Sequence, residues 1–136
     1  PEGEIDRRRL ARLVFGDKKL LKRLCRIVHP YVITRIKRSV KSASAGGVIA
    51  IDAPLLIETG LDRAADRIVV VKATLKKQLE RCQRSRGMTV KEAMGRIGNQ
   101  MPLKEKLRMA DFVISNNGSR NMTGRQVKKA WGRLWK

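Results

Sequence analysis

The chain has 136 residues, 42% hydrophobic and 32% charged, with 32 Lys+Arg against 12 Asp+Glu for a formal net charge of +20. This length and composition suit one globular domain with a modest core and exclude a disordered tail, while no apolar run is long enough for a bilayer span. The charge, concentrated in the first and last thirds, favours anionic partners such as nucleotides, coenzymes or RNA, although a basic solvated face gives the same balance.

The opening Pro1-Glu2-Gly3-Glu4 has neither the basic nor the apolar part of a signal peptide and no initiator Met. The expectation is a soluble, trimmed or incomplete chain that works in the cytoplasm. Cys25 and Cys82 are far apart, there is no Cys-x-x-Cys, and His29 is the single histidine. That argues against a zinc site and fits free thiols in a reducing compartment.

The first third reads as three short helices. Asp6 caps one with the apolar stripe Leu10, Leu13 and Val14; Gly16-Asp17 restarts the chain into Leu20, Leu24 and Ile27. Pro30 disfavours helical geometry at His29 and suits the first position of the next helix, with Val32, Ile33, Ile36 and Val40 inward. Ser42 to Gly47 is then a flexible turn.

The pattern next changes to short continuous apolar runs, the mark of strands covered on both faces: Val48 to Asp52, Ile68 to Val71, and Phe112 to Ser115. Helices follow the second run. Leu75, Leu79 and Cys82 line one, which ends near Ser85 ahead of Gly87. Thr89 and Glu92 form a capping box for another, with Val90, Met94 and Ile97 inward. Leu103 and Leu107 suggest a third after Pro102, and Val127, Ala130, Trp131 and Leu134 mark a closing helix. Strands alternating with helices give an α/β class, a parallel sheet with helices on both faces, preceded by a helical subdomain.

Several residues carry chemistry on this reading. Asp52 ends a strand, where open α/β sheets place ligands; its carboxylate suits Mg²⁺ or a metal-bound water, or equally a cap on the Ala53-Pro54 turn. With Leu75, Leu79 and Cys82 on the core side, Lys77, Gln78, Arg81 and Arg84 fall on the wet side. Arg84 and Arg86 then lie in a short hinge whose guanidinium forks suit polyphosphate. Asn116-Asn117-Gly118 directly follows the third strand, and such residues tolerate the left-handed geometry of a tight loop. Lys104 and Lys106 reach either phosphate or water. His29 is a helix cap or a binding residue, not a general base.

Four stretches in order resemble the dephospho-CoA kinase family. They are Asp6 to Leu10 through Val14-Phe15 with Ile27-Val28-His29-Pro30; Asp52-Ala53-Pro54-Leu55-Leu56-Ile57-Glu58-Thr59-Gly60; Gln78-Leu79-Glu80-Arg81 on to Gln100; and Ala110 to Ser119. The resemblance implies a P-loop kinase fold and transfer of the ATP γ-phosphate to the ribose 3′-hydroxyl of dephospho-CoA, with Mg²⁺ as cofactor. It implies one domain: a helical CoA-binding region over 6–45, core over 46–72 and 110–136, and a lid over 74–109. It implies that Arg81 contacts the transferring phosphate, that Asn116 and Gly118 meet the adenine, and that Arg84 or Arg86 substitutes for a second lid arginine where this chain has Ser85. Leu55, Leu56 and Glu58 would shape the coenzyme side of the cleft, with His29 in the CoA-binding region.

A P-loop needs Gly-x₄-Gly-Lys-Ser/Thr, and these 136 residues contain no Gly-Lys dipeptide. The expectation is that a strand and P-loop unit precedes this stretch, its strand lying between the runs at 48–52 and 68–71. Without it, unpaired buried backbone groups would cost about 1–3 kcal/mol each. The 136 residues alone are therefore expected neither to fold stably nor to turn over. Two other readings stay open: a catalytically dead, kinase-derived basic protein held in an RNA–protein assembly, and another nucleotide kinase of the same fold. Low aromatic content, 4%, counts against the first.

Overall fold

The computed structural model describes residues 3–43 and 46–134, the side chain of Arg8 aside. Pro1, Glu2 and, within the expected turn, Ser44 and Ala45 lie outside the described residues. The chain divides into two compact units, Pro1–Pro54 and Leu55–Lys136.

The first unit holds helix α1 (Arg7–Phe15) and helix α2 (Lys18–Lys41), which pack on one another. Local capping sets both starts. The Asp6 carboxylate accepts the Arg9 N–H at 3.0 Å, and Asp17 accepts those of Lys19 and Leu20 at 2.7 and 3.2 Å. Val14 is the buried anchor of α1, whereas Leu13 is exposed. The expected break at Pro30 does not occur: α2 runs through it as one helix, so the segment has two helices rather than three. A proline inside a helix costs one hydrogen bond and crowds the preceding turn. The half-buried stripe Leu21, Leu24, Cys25, His29, Ile33 and Ile36 nevertheless continues across it, and burial of that face favours one continuous helix. His29 is therefore mid-helix and caps nothing. Leu20, Ile27, Val32 and Val40, expected inward, are exposed.

Residues 47–53 have no regular secondary structure, so the strand expected over Val48–Asp52 is absent. A strand exists only as a ladder with a partner, and among the described residues the sheet consists of two other strands.

The second unit begins with the turns of residues 55–60 and a short 3₁₀ segment, Leu61–Ala64. Then follow β1 (Val69–Lys72), α3 (Leu75–Arg86), α4 (Val90–Gly98), α5 (Leu103–Arg108), β2 (Phe112–Ser115) and α6 (Arg120–Leu134). The two strands are parallel, with Val69 opposite Phe112 and Lys72 opposite Ser115. Parallel neighbours require a long crossover, here α3–α4–α5. Val70 and Ile114 are buried at 8% and 6% exposure, while Val69, Val71 and Val113 are exposed; because Val70 pairs with Val113 and Ile114 with Val71, the two buried residues lie on opposite faces of the sheet, one from each strand.

The helix boundaries follow local chemistry. Thr74 caps α3 through the Lys77 N–H, and Gly87 ends it at φ 59°, a left-handed position that suits glycine. Thr89 and Glu92 form the expected capping box on α4. The inward residue of α4 is Ala93, 1% exposed, whereas Val90 and Met94 are exposed. On α6 the buried residue is Ala130, and Val127 and Trp131 are exposed.

Candidate active site

The tips of β1 and β2 carry the densest set of long-range hydrogen bonds in the second unit. The Asn116 N–H donates to the Lys72 carbonyl at 2.8 Å, continuing the ladder one residue beyond β2. The Asn117 side-chain oxygen accepts the Thr74 N–H at 2.7 Å, which joins the loop after β2 to the start of α3. The Arg81 guanidinium reaches back from α3 to donate to the Asn116 carbonyl at 2.8 Å. Thr123 on α6 donates its hydroxyl to the Asn116 side-chain oxygen at 3.1 Å. The Gln126 side-chain amide pairs with both main-chain groups of Ser115, accepting from its N–H at 2.8 Å and donating to its carbonyl at 2.9 Å. That amide acts as a one-residue stand-in for another strand on the side of β2 facing away from β1.

Arg81 and Asn116 are thus brought together. Other expectations are corrected. Gln78 and Arg81 are half-buried rather than on the wet side; Gln78 donates to the Ala73 carbonyl at 2.9 Å. The half-buried positions of α3 are 78, 79, 81 and 82, and Leu75 is exposed, so the inward face is turned from the apolar stripe toward the strand tips. Arg84 and Arg86 are not in a hinge: both are exposed in the last turn of α3, because the helix continues to the glycine that ends it. No non-glycine described residue has positive φ, and Gly118 is not among the positive-φ glycines, so the Asn116–Gly118 loop uses ordinary backbone geometry. Gly118 matters for space instead, since a Cβ there would lie 2.8 Å from the Met122 sulfur.

Leu55 and Leu56 are half-buried in the 54–60 turn, where their carbonyls accept the Thr59 hydroxyl at 2.8 and 3.2 Å. Glu58 lies in the same turn. Its Oε1 accepts the Met101 N–H at 2.9 Å and the Lys106 ammonium at 2.7 Å. Burial raises its pKa, but the Lys106 bond and the Met101 N–H outweigh this and hold the carboxyl below its ordinary 4.5. Lys106, expected to reach phosphate or water, is in this pair and also donates to Gln100 at 3.4 Å.

In the first unit Asp52 is an exposed carboxylate in the irregular stretch, and His29 is half-buried on α2. Among the described residues no group of three or more His, Cys, Asp or Glu side chains could hold a metal ion. A single carboxylate remains compatible with Mg²⁺, which keeps several waters and takes substrate phosphates as ligands. Among the described residues no helix is long and apolar enough to cross a membrane.

Sequence reasoning missed Thr74, Thr123 and Gln126. The signal was present for the last two: polar residues three apart, on the side of α6 that also carries Ala130.

Parallel strands joined by a helical crossover, with an arginine and a pair of asparagines meeting at the strand tips, define an α/β protein. A family model described as dephospho-CoA kinase matches residues 1–121. A dephospho-CoA kinase of Carboxydothermus hydrogenoformans is 39% identical over 128 residues, covering 93% of this chain and 62% of that protein. One of Symbiobacterium thermophilum is 41% identical over 133 residues, covering 96% and 56%. A crystal structure of TT1252 from Thermus thermophilus superposes with TM-score 0.75 at 33% identity, covering 98% of this chain and 70% of that one. The chain belongs to the dephospho-CoA kinase family. It spans less than two thirds of the length of the first two relatives.

Proposed function

We propose that this chain is part of an enzyme that phosphorylates the ribose 3′-hydroxyl of dephospho-CoA with ATP, the final step of coenzyme A synthesis. The observation that carries the reading is the Arg81 guanidinium on the Asn116 carbonyl, at the tip of β2. It supports a cluster in which one loop meets the adenine and an adjacent cation meets the polyphosphate. In the reaction the 3′-oxygen bonds to the γ-phosphorus, the bond from that phosphorus to the ADP oxygen breaks, and the hydroxyl proton is released. Little covalent chemistry falls to the protein, so positioning and charge neutralisation carry the rate. Arg81 serves the transferring phosphate, with Arg84 and Arg86, exposed on the same helix, as further phosphate ligands. Asn116 and Gly118 line the adenine. Asp52 holds Mg²⁺, which neutralises phosphate charge when bound. His29, Leu55 and Leu56 belong to the coenzyme side, and the enzyme works in the cytoplasm.

These 136 residues contain no Gly-Lys dipeptide, so a Gly-x₄-Gly-Lys-Ser/Thr cradle is not among them. The same 136 residues expressed alone are accordingly expected to give no turnover. The RNA-binding alternative gains no feature beyond net charge.

The test is phosphoryl transfer by the full-length protein, followed by mass spectrometry of the acceptor with ATP·Mg²⁺. Coenzyme A is the expected product. A protein that leaves dephospho-CoA untouched yet phosphorylates a nucleoside monophosphate would be a different kinase of this fold.

A further inference from the structure

The crossover from β1 to β2 is held at its two ends by different means. At the outgoing end, Thr74 and Arg81 are tied to Asn117 and Asn116. At the returning end, the junction between α4 and α5 is held from outside the crossover by Glu58, whose Oε1 takes both the Met101 N–H and the Lys106 ammonium. Side-chain exposures of 14% for Lys106 and 19% for Glu58 keep the pair largely out of water, where charge-assisted bonds lose less to screening.

The local backbone explains why an outside acceptor is used. Pro102 stands at the cap position of α5, has no N–H, and makes no side-chain cap. The Met101 N–H is the last main-chain donor ahead of it and needs a partner. The mount for Glu58 is itself braced: the Thr59 hydroxyl is on the Leu55 and Leu56 carbonyls, the Leu61 N–H donates to Leu56, and Gly60 turns the chain at φ 73°. Between the two anchorages lies α4, joined to α3 through Gly87 at φ 59°.

We infer that Glu58 is a positioning residue: it clamps the return arm from Gln100 to Lys106 and so fixes where the α3–α4 excursion hinges over bound nucleotide. Its carboxylate is spent on that clamp and not on the coenzyme. The nucleotide part rests on the kinase reading; the clamp does not.

The test uses the full-length protein with Glu58→Ala, Glu58→Gln and Lys106→Met. The glutamine keeps an amide oxygen for the Met101 N–H but gives up the charge that holds Lys106. Amide hydrogen exchange at Met101 should speed up about tenfold in Glu58→Ala and less in Glu58→Gln, with Ile114 in β2 unchanged. In kinetics, the KM for ATP should rise while that for dephospho-CoA stays put. Should Glu58→Ala fail to fold, the other two variants carry the same measurements. Unaltered Met101 exchange in the Glu58 variants overturns the clamp, as does a rise confined to the dephospho-CoA KM. Faster Met101 exchange in a protein whose wild type transfers no phosphate leaves the clamp standing and removes the kinase reading.

Discussion

The guanidinium of Arg81 and the main-chain carbonyl of Asn116 are 2.8 Å apart, although 35 residues separate them in sequence. The bond ties the middle of α3 to the end of β2. It joins the arginine proposed for phosphate to the loop proposed for adenine, and the arginine keeps further N–H groups for a ligand.

Replacing Arg81 with Ala in the full-length protein removes the tie and, on the proposed function, the phosphate donor as well. Turnover should fall by at least about tenfold, and stability by about 1–2 kcal/mol in urea melts. Arg81→Lys should recover part of the stability but little of the rate, because a point charge cannot serve carbonyl and phosphate in the same fork. Wild-type turnover and ATP affinity in Arg81→Ala would remove Arg81 from the site.

Gln126 makes two bonds to Ser115 that no other natural side chain of that shape can reproduce. Gln126→Met should cost about 1–3 kcal/mol, since it leaves a part-buried N–H and carbonyl unpaired. Gln126→Glu keeps the acceptor for the N–H but sets a carboxylate against the carbonyl, and should cost at least as much. Exchange at the Ser115 amide, read alongside denaturation midpoints, separates the two cases.

The Glu58 carboxyl is held below 4.5 in the folded chain, so its ionised form is favoured by folding. That contribution is present above 4.5 and is lost as pH falls through the lowered folded value. Denaturation of wild type and Glu58→Gln should therefore differ by at most about 1 kcal/mol near neutrality, solvent screening of this partly exposed carboxylate included, and converge in acid. A difference that grows as pH falls would reverse the sign and refute the assignment.

Two glycines should respond in opposite directions to alanine. Gly60 sits at φ 73°, where a Cβ is strained, and Gly60→Ala should destabilise by about 1 kcal/mol. Gly95 lies within α4, has no positive φ, and has nothing within 4 Å of an added Cβ. Gly95→Ala should stabilise by about 0.5–1 kcal/mol. Thermal melts of the two variants decide both.

What could be read from the residues was mostly what is local. Asp6, Asp17 and Thr89 cap helices because their partners lie two or three positions away. Ile68–Val71 and Phe112–Ser115 announced themselves as strands. Val48–Asp52 has the same composition and is not one, because a ladder depends on a neighbour that composition does not reveal. Pro30 misled for the opposite reason: the local rule argued for a break, and a stripe of half-buried residues on both sides of it prevailed. At the site, Arg81 and Asn116 were named from the sequence but not the bond between them, and Glu58 was named for the coenzyme side while its Met101 partner, 43 residues away, was not. On α4 burial was assigned to Val90, Met94 and Ile97, yet the buried residue is Ala93; on α6 Ala130 was among the residues named and is buried, whereas Trp131 is exposed.

The strand pair is pegged beyond each end. Before it, the Ile68 N–H donates to the Asp111 carboxylate at 2.7 Å, and after it the Thr74 N–H donates to the Asn117 side chain at 2.7 Å. Sliding one strand by a single residue would break both pegs at once and move that strand's buried residue, Val70 or Ile114, off the face it now covers. The height of the Asn116 loop above the first turn of α3 is thus a fixed dimension of the molecule, one that ligand chemistry can rely on without first having to assemble it.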